Sequence, residues 1–206
     1  MLYTENDIRQ DLIRLTVKDF FLKYVVRTDN WYFREILNIP NEKILETIDL
    51  FKLIVSKSMN ISFNNIVMVG SAKLGYSLSP NKALKKFEVE DDGKSDIDIA
   101  VISPQLFDIY WKFFRESYDV TKTNLYGYIS RQIYRGYISE KNLLEIDKCR
   151  IDWLDKSKEV RKKLKSEMYF KHEINFRIYR DWNDMMEYHI QSIEELKRKE
   201  RNSYVK

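Results

Sequence analysis

An α+β fold, with a mixed sheet flanked by N- and C-terminal helices, is predicted by three features of the sequence. Amphipathic helical periodicity fills residues 5–26 and 41–55, two β-branched apolar runs follow at 66–69 and 95–102, and helical periodicity closes the chain at 183–199. In the first stretch Ile8, Leu12, Leu15, Phe20 and Val25 recur at helical spacing, as one amphipathic helix or two short ones. Pro40 and the cap candidate Asn41 then precede Ile44, Leu45, Ile48, Phe51, Ile54 and Val55. After a polar turn near Asn60 comes Ile66-Val67-Met68-Val69, a buried strand stopped by Gly70. The second strand, 95–102, ends at Pro104, and Phe107, Tyr110, Trp111 and Phe114 mark a helix after it. The tyrosine-rich segment 126–137 predicts one or two strands, 140–168 a charged helical region, and 174–179 a further strand. Met186, Ile190, Ile193 and Leu196 define the apolar face of the last helix.

With 206 residues, 44% of them hydrophobic, the chain can bury a sizeable core, and one domain over 1–206 is expected. Its parts are N-terminal helices (1–60), a sheet with insertions (61–182) and a C-terminal helix (183–206). A lone cysteine, Cys149, needs no oxidising compartment, so the cytoplasm is the expected setting and a buried structural role the expected one. The opening residues carry no apolar secretory core, and the most apolar run, 50–55, is too short to span a membrane. A net charge of +4 permits an anionic substrate without the concentrated field of a dedicated nucleic-acid binder.

Chemistry concentrates in 66–103. In a strand, residues two apart share a face, so Asp96 and Asp98 project together while Ile97, Ile99 and Val101 enter the core. Adjacent carboxylates repel, and a hard divalent cation offsets that repulsion. Oxygen ligands with no nearby histidine or cysteine suit Mg2+ or Mn2+ rather than zinc. Gly70 lets the backbone approach a ligand closely, and the Ser71 hydroxyl extends the anion site made by exposed N–H groups. Together these form a seat for a triphosphate beside a metal, which is what nucleotidyl transfer requires.

Gly70-Ser71 after an apolar strand, followed by Asp96-Ile97-Asp98 in a second, resembles the nucleotidyltransferase superfamily, which includes polymerase beta, minimal nucleotidyltransferases and bacterial oligonucleotide synthases. The resemblance covers about 40 residues. It implies a polymerase-beta-like palm, with Gly70 and Ser71 gripping the β- and γ-phosphates of a nucleoside triphosphate and both aspartates binding metal. Small bacterial members modify proteins, small antibiotics or RNA ends, and related synthases make nucleotide signals in antiviral defence; a protein or RNA acceptor is the partner implied. The family also uses a third carboxylate from a later strand. Glu173 is the candidate here, with Asn175 as a weaker neutral donor in its slot and Asp152 as another acid. The 25 positions from Ser71 to Asp96 exceed the usual connection, so 78–94 is expected to form an inserted loop or short helix.

Other residues carry two readings. Lys73 is placed as a point charge reaching the triphosphate, against the ordinary exposed lysine of a turn. The acidic run at 88–92 with Gly93 fails as a calcium loop, because Ile99 falls where the bidentate glutamate belongs. Tyr126, Tyr128, Arg131, Tyr134, Arg135 and Tyr137 interleave aromatic and basic residues, read as packing in preference to base stacking. Arg177 and Arg180 read as a solvated strand edge, and His172 and His189 as too isolated for a metal pair. Two rival functions remain: a nucleotide-binding module without turnover, and a sugar-nucleotide transferase that leaves Gly70-Ser71 unexplained.

Overall fold

The computed structural model describes residues 3–88 and 95–203. Among the described residues, four strands, β1 (Ile66–Val69), β2 (Asp96–Ile102), β3 (Tyr137–Ser139) and β4 (Glu173–Tyr179), form one mixed sheet in the order β1-β2-β4-β3. β2 is antiparallel to β1 and parallel to β4, and β4 is antiparallel to β3. The mixed α+β class follows the sequence expectation.

Helices α1 (Glu5–Arg14) and α2 (Val17–Phe21) open the chain, and α2 runs into a π-helical turn at Leu22–Val26. Thr4 and Asp7 close a capping box at the start of α1, satisfying backbone N–H groups that the helix leaves unpaired. Short α3 (Trp31–Glu35) leads to α4 (Ile44–Met59), which ends at Asn60 in the left-handed region. After β1 the chain turns directly into α5 (Gly70–Leu74). Ser103 caps α6 (Pro104–Glu116), with Pro104 at its first position, where a missing N–H costs nothing. Next come α7 (Thr123–Tyr134), α8 (Glu140–Leu144), α9 (Asp147–Met168) and α10 (Trp182–Ser203).

Strand alternation divides the core between the two faces of the sheet. Ile97, Ile99 and Val101 of β2 and Ile174, Phe176 and Ile178 of β4 join the cluster built with α4, α6 and α9. Ala100, Ile102 and Tyr179 face the other way, onto α1, α2 and α10. Asp96, Asp98, Asn175 and Arg177 share this second face by the same alternation. The N-terminal helices and α10 therefore roof the candidate site, while α4 and α9 support it from beneath.

Segment 126–137 is a correction to the sequence reading: it is helix α7 up to Tyr134, and only Tyr137 enters a strand. Tyr126, Ile129 and Ile133 recur at helical spacing and pack on the core, so periodicity outweighs the β propensity of the tyrosines. Tyr128 and Tyr134 are left exposed. On α10 the buried face is Met185, Ile193 and Leu196, rotated slightly from the face expected, so that Met186 and Ile190 are only partly covered. The insertion at 78–94 is irregular in its described part and closed by an isolated bridge between Tyr76 and Lys86. Its remainder, with most of the acidic run at 88–93, lies outside the described residues. Among the described residues, no helix is long and apolar enough to cross a membrane.

One buried acid locks β4 against α9. Glu140 accepts from Trp153 Nε1 at 2.6 Å and from the backbone N–H of Phe176 at 2.9 Å, and it pairs with Arg161, which also donates to the Ile174 carbonyl at 3.0 Å. Glu140→Gln keeps the shape but removes the charge opposing Arg161 and turns an amide N–H2 toward donors. It is expected to cost about 2 kcal/mol in urea denaturation. An unchanged midpoint would show that this network carries no stability.

Candidate active site

Gly70 has φ +71, a left-handed conformation that side chains rarely adopt, and it lies directly against Asp98. A Cβ placed at Gly70 would fall 2.6 Å from Asp98 Oδ2, closer than real Cβ atoms come to any neighbour. The pairing of Val69 with Asp98 across β1 and β2 sets this contact. Two motifs separated by 28 positions in sequence thus form one wall.

A cavity of about 270 Å³ opens on that wall and is lined by Gly70, Ser71, Asp96 and Asp98. Val69, the N-cap of α5, gives no side-chain acceptor to the first N–H groups of the helix. The sequence brings these four residues to one site, as their spacing implies. Their spacing gives no sign of the rest of the lining: Tyr24 and Val25 from the N-terminal helices, and Tyr188, His189 and Ser192 from α10. One signal was available, since His189 stands four residues from both Met185 and Ile193 on the buried face of α10.

Lys73 lines the cavity, but its ammonium donates to the carbonyls of Arg27 and, at 3.4 Å, Thr28. It sits in a helix and is buried, not exposed in a turn. Burial first, then the Arg27 charge, pulls its pKa down to about 7, while the two carbonyls favour the ammonium. Its engagement with the segment before α3 fixes α5 in place.

The three candidates for a third oxygen ligand separate clearly. Glu173 stands in register with Asp96 at the start of β4, exposed and outside the cavity lining. Asn175 stands in register with Asp98 and donates from Nδ2 to Asp96 Oδ2 at 2.6 Å. Asp152 is on α9, where it accepts from Tyr110 at 2.7 Å and pairs with Lys156 at 2.7 Å. Among the described residues no group of three or more acids, histidines or cysteines could hold a metal ion.

Arg177 departs from its reading as a solvated edge, because β4 is an interior strand between β2 and β3. Its guanidinium lines the cavity, lies 4.6 Å from the centroid of the Tyr188 ring and 5.6 Å from that of Tyr137, and has an enclosed Nε with no hydrogen-bond partner. Arg180 is exposed and pairs with Asp184. His172 packs against Tyr32 and Phe87, away from His189. Cys149 is buried, and burial pushes its thiol up to about 12, which makes it inert.

Burial raises the Asp98 carboxyl to about 6, with Arg177 opposing the shift and Asp96 adding to it. A carboxylate so placed favours a cation beside it. Asp96 and Asp98 are the residues that would hold one, and two carboxylates with room for phosphate oxygens and water fit a single hard divalent ion. His189 is held neutral: burial and the Arg177 charge pull it down to about 3. Its folded pKa lies below the ordinary 6.5, so from pH 6.5 toward 3 the unfolded chain takes up a proton that the folded one refuses. Stability conferred by neutral His189 is present above pH 6.5 and is lost on acidification, by at most about 1.4 kcal/mol per pH unit. Urea denaturation at pH 6.0 and 4.5 is expected to show a flatter loss in His189→Phe; equal slopes would remove His189 as the cause.

Comparison with protein-family models, with curated proteins and with solved structures finds no match to this chain.

Proposed function

We propose that the sheet is a nucleotidyltransferase palm and that the chain transfers a nucleoside monophosphate from a nucleoside triphosphate to an acceptor hydroxyl on a protein, an RNA or a small molecule. The observation that carries this reading is the contact of Gly70 with Asp98, where a Cβ would come within 2.6 Å of the carboxylate. Any side chain at position 70 would fill the space between the phosphate seat and the metal-holding acids. A bare backbone there is what phosphates bridging both require.

In this reading Gly70 and Ser71 hold the phosphates, and Asp96 and Asp98 hold Mg2+ or Mn2+, which neutralises charge developing on the phosphates. The acceptor oxygen forms a bond to the α-phosphorus, and the bond from that phosphorus to the bridging oxygen breaks. The electron pair leaves with pyrophosphate, and the hydroxyl proton passes to solvent. Asn175 orients Asp96 through its 2.6 Å hydrogen bond. Tyr24 and the α10 residues Tyr188, His189 and Ser192 line the rest of the cavity.

Incubation with each labelled ribonucleoside triphosphate and Mg2+, followed by assay of pyrophosphate and of label on protein or RNA, tests the proposal. Release dependent on Asp96 and Asp98 supports it. Tight triphosphate binding with no release from any of the four would favour a second reading, a nucleotide-binding module. The observation favouring that reading is Asn175, an amide beside both aspartates in place of a third acid.

A further inference from the structure

The charge balance of the cavity points to the number of metal ions it takes, an inference that rests on the nucleotidyltransferase reading above. Side by side on β2 and β4, the rows of the site face are Asp96 with Glu173, Asp98 with Asn175, and Ala100 with Arg177. Of the β4 residues, Glu173 is exposed outside the lining, Asn175 is uncharged, and Arg177 lines the cavity. Asn175 also turns its donor nitrogen to Asp96, so its N–H2 occupies an oxygen that another cation would use. The side chains contributed by β2 and β4 to the cavity lining are thus two carboxylates and one guanidinium.

The guanidinium is fixed. It lies over the rings of Tyr188 and Tyr137, with Tyr179 and Asp98 as its further electrostatic neighbours. Its Nε is enclosed without a hydrogen-bond partner, so a positive charge with an unused donor is held in the cavity wall beside Asp98. One divalent ion neutralises the two aspartates. A second would find no further carboxylate among the described residues of the lining and would meet the positive charges of Arg177 and Lys82 in the cavity wall.

We propose that this site takes a single divalent cation, on Asp96 and Asp98, and that Arg177 is the permanent charge standing where a second ion would otherwise act on the phosphates. Asn175 and Arg177 then act together. The amide denies the second ion a ligand, and the guanidinium makes that ion unnecessary.

Mn2+ bound per chain is counted by electron paramagnetic resonance, with each of the four α,β-methylene ribonucleoside triphosphates at saturation and with nucleotide-only binding subtracted. One Mn2+ per chain is expected in the wild-type protein. Asn175→Asp is expected to tighten Mn2+ binding at least tenfold, and Asn175→Asp with Arg177→Met to bind two ions. Asn175→Asp with Arg177→Lys, which keeps the charge, should stay at one. Two ions in the wild-type protein would overturn this inference and leave the nucleotidyltransferase reading standing; no bound ion with any analogue would overturn both. The wild-type count decides the matter even if the Arg177→Met variant fails to fold.

Discussion

Gly70→Val is expected to lower stability by about 4 kcal/mol and to abolish triphosphate binding. Two costs add. At φ +71 a β-branched residue is strained by about 1–3 kcal/mol, and a Cβ 2.6 Å from Asp98 Oδ2 forces β1 and β2 apart or pushes Asp98 from its place, at about 1–3 kcal/mol more. Gly70→Ala meets the same Cβ contact with less strain and is expected to lose about half as much stability. Urea denaturation gives the first quantity and calorimetry with triphosphate and Mg2+ the second. A Gly70→Val protein with wild-type stability and affinity would contradict both the backbone geometry and the phosphate seat.

Asp98→Asn is expected to move activity and stability in opposite directions. Removing one of the two carboxylates proposed to hold the metal should reduce turnover at least ~10³-fold, with Asp96→Asn of similar effect. The metal-free protein, by contrast, should gain stability. Burial raises Asp98 to about 6 in the folded state from an ordinary value of 3.8, so the fold favours the protonated form. The associated stability is present below about pH 4 and is lost as pH rises through 6, leaving a cost at pH 8 of at most about 3 kcal/mol. Asparagine removes that cost, so the variant should be the more stable at pH 8 and show a flatter profile between pH 4 and 7. Urea denaturation in chelator, set beside pyrophosphate release in Mg2+, reads both. Lower stability at pH 8 in Asp98→Asn would show that the ionised carboxylate supports the fold, contrary to this account.

The parts of the site legible in the sequence are those set by local spacing. Strand alternation alone puts Asp96 and Asp98 on one face, and a glycine closing an apolar run marks the turn at Gly70. What escaped depends on which strands become neighbours. Arg177 reads as an edge residue until β3 pairs with the far side of β4, and the choice between Glu173 and Asn175 is made by a register that sequence does not encode locally. The burial of Lys73 is not legible either, because its partners, the carbonyls of Arg27 and Thr28, lie more than forty residues away. Segment 126–137 differs in kind: its tyrosines and isoleucines favour a strand by propensity, but Tyr126, Ile129 and Ile133 carry a helical period, and the period prevails.

A crystal structure with an α,β-methylene triphosphate and Mn2+, in which anomalous scattering locates the metal, shows whether phosphates and metal meet at Gly70 and the two aspartates. One Mn2+ is expected between the carboxylates of Asp96 and Asp98, with the phosphates against the backbone of Gly70 and the hydroxyl of Ser71. Metal and phosphates bound away from these four residues, with Asp96 and Asp98 free of both, would contradict the proposed site.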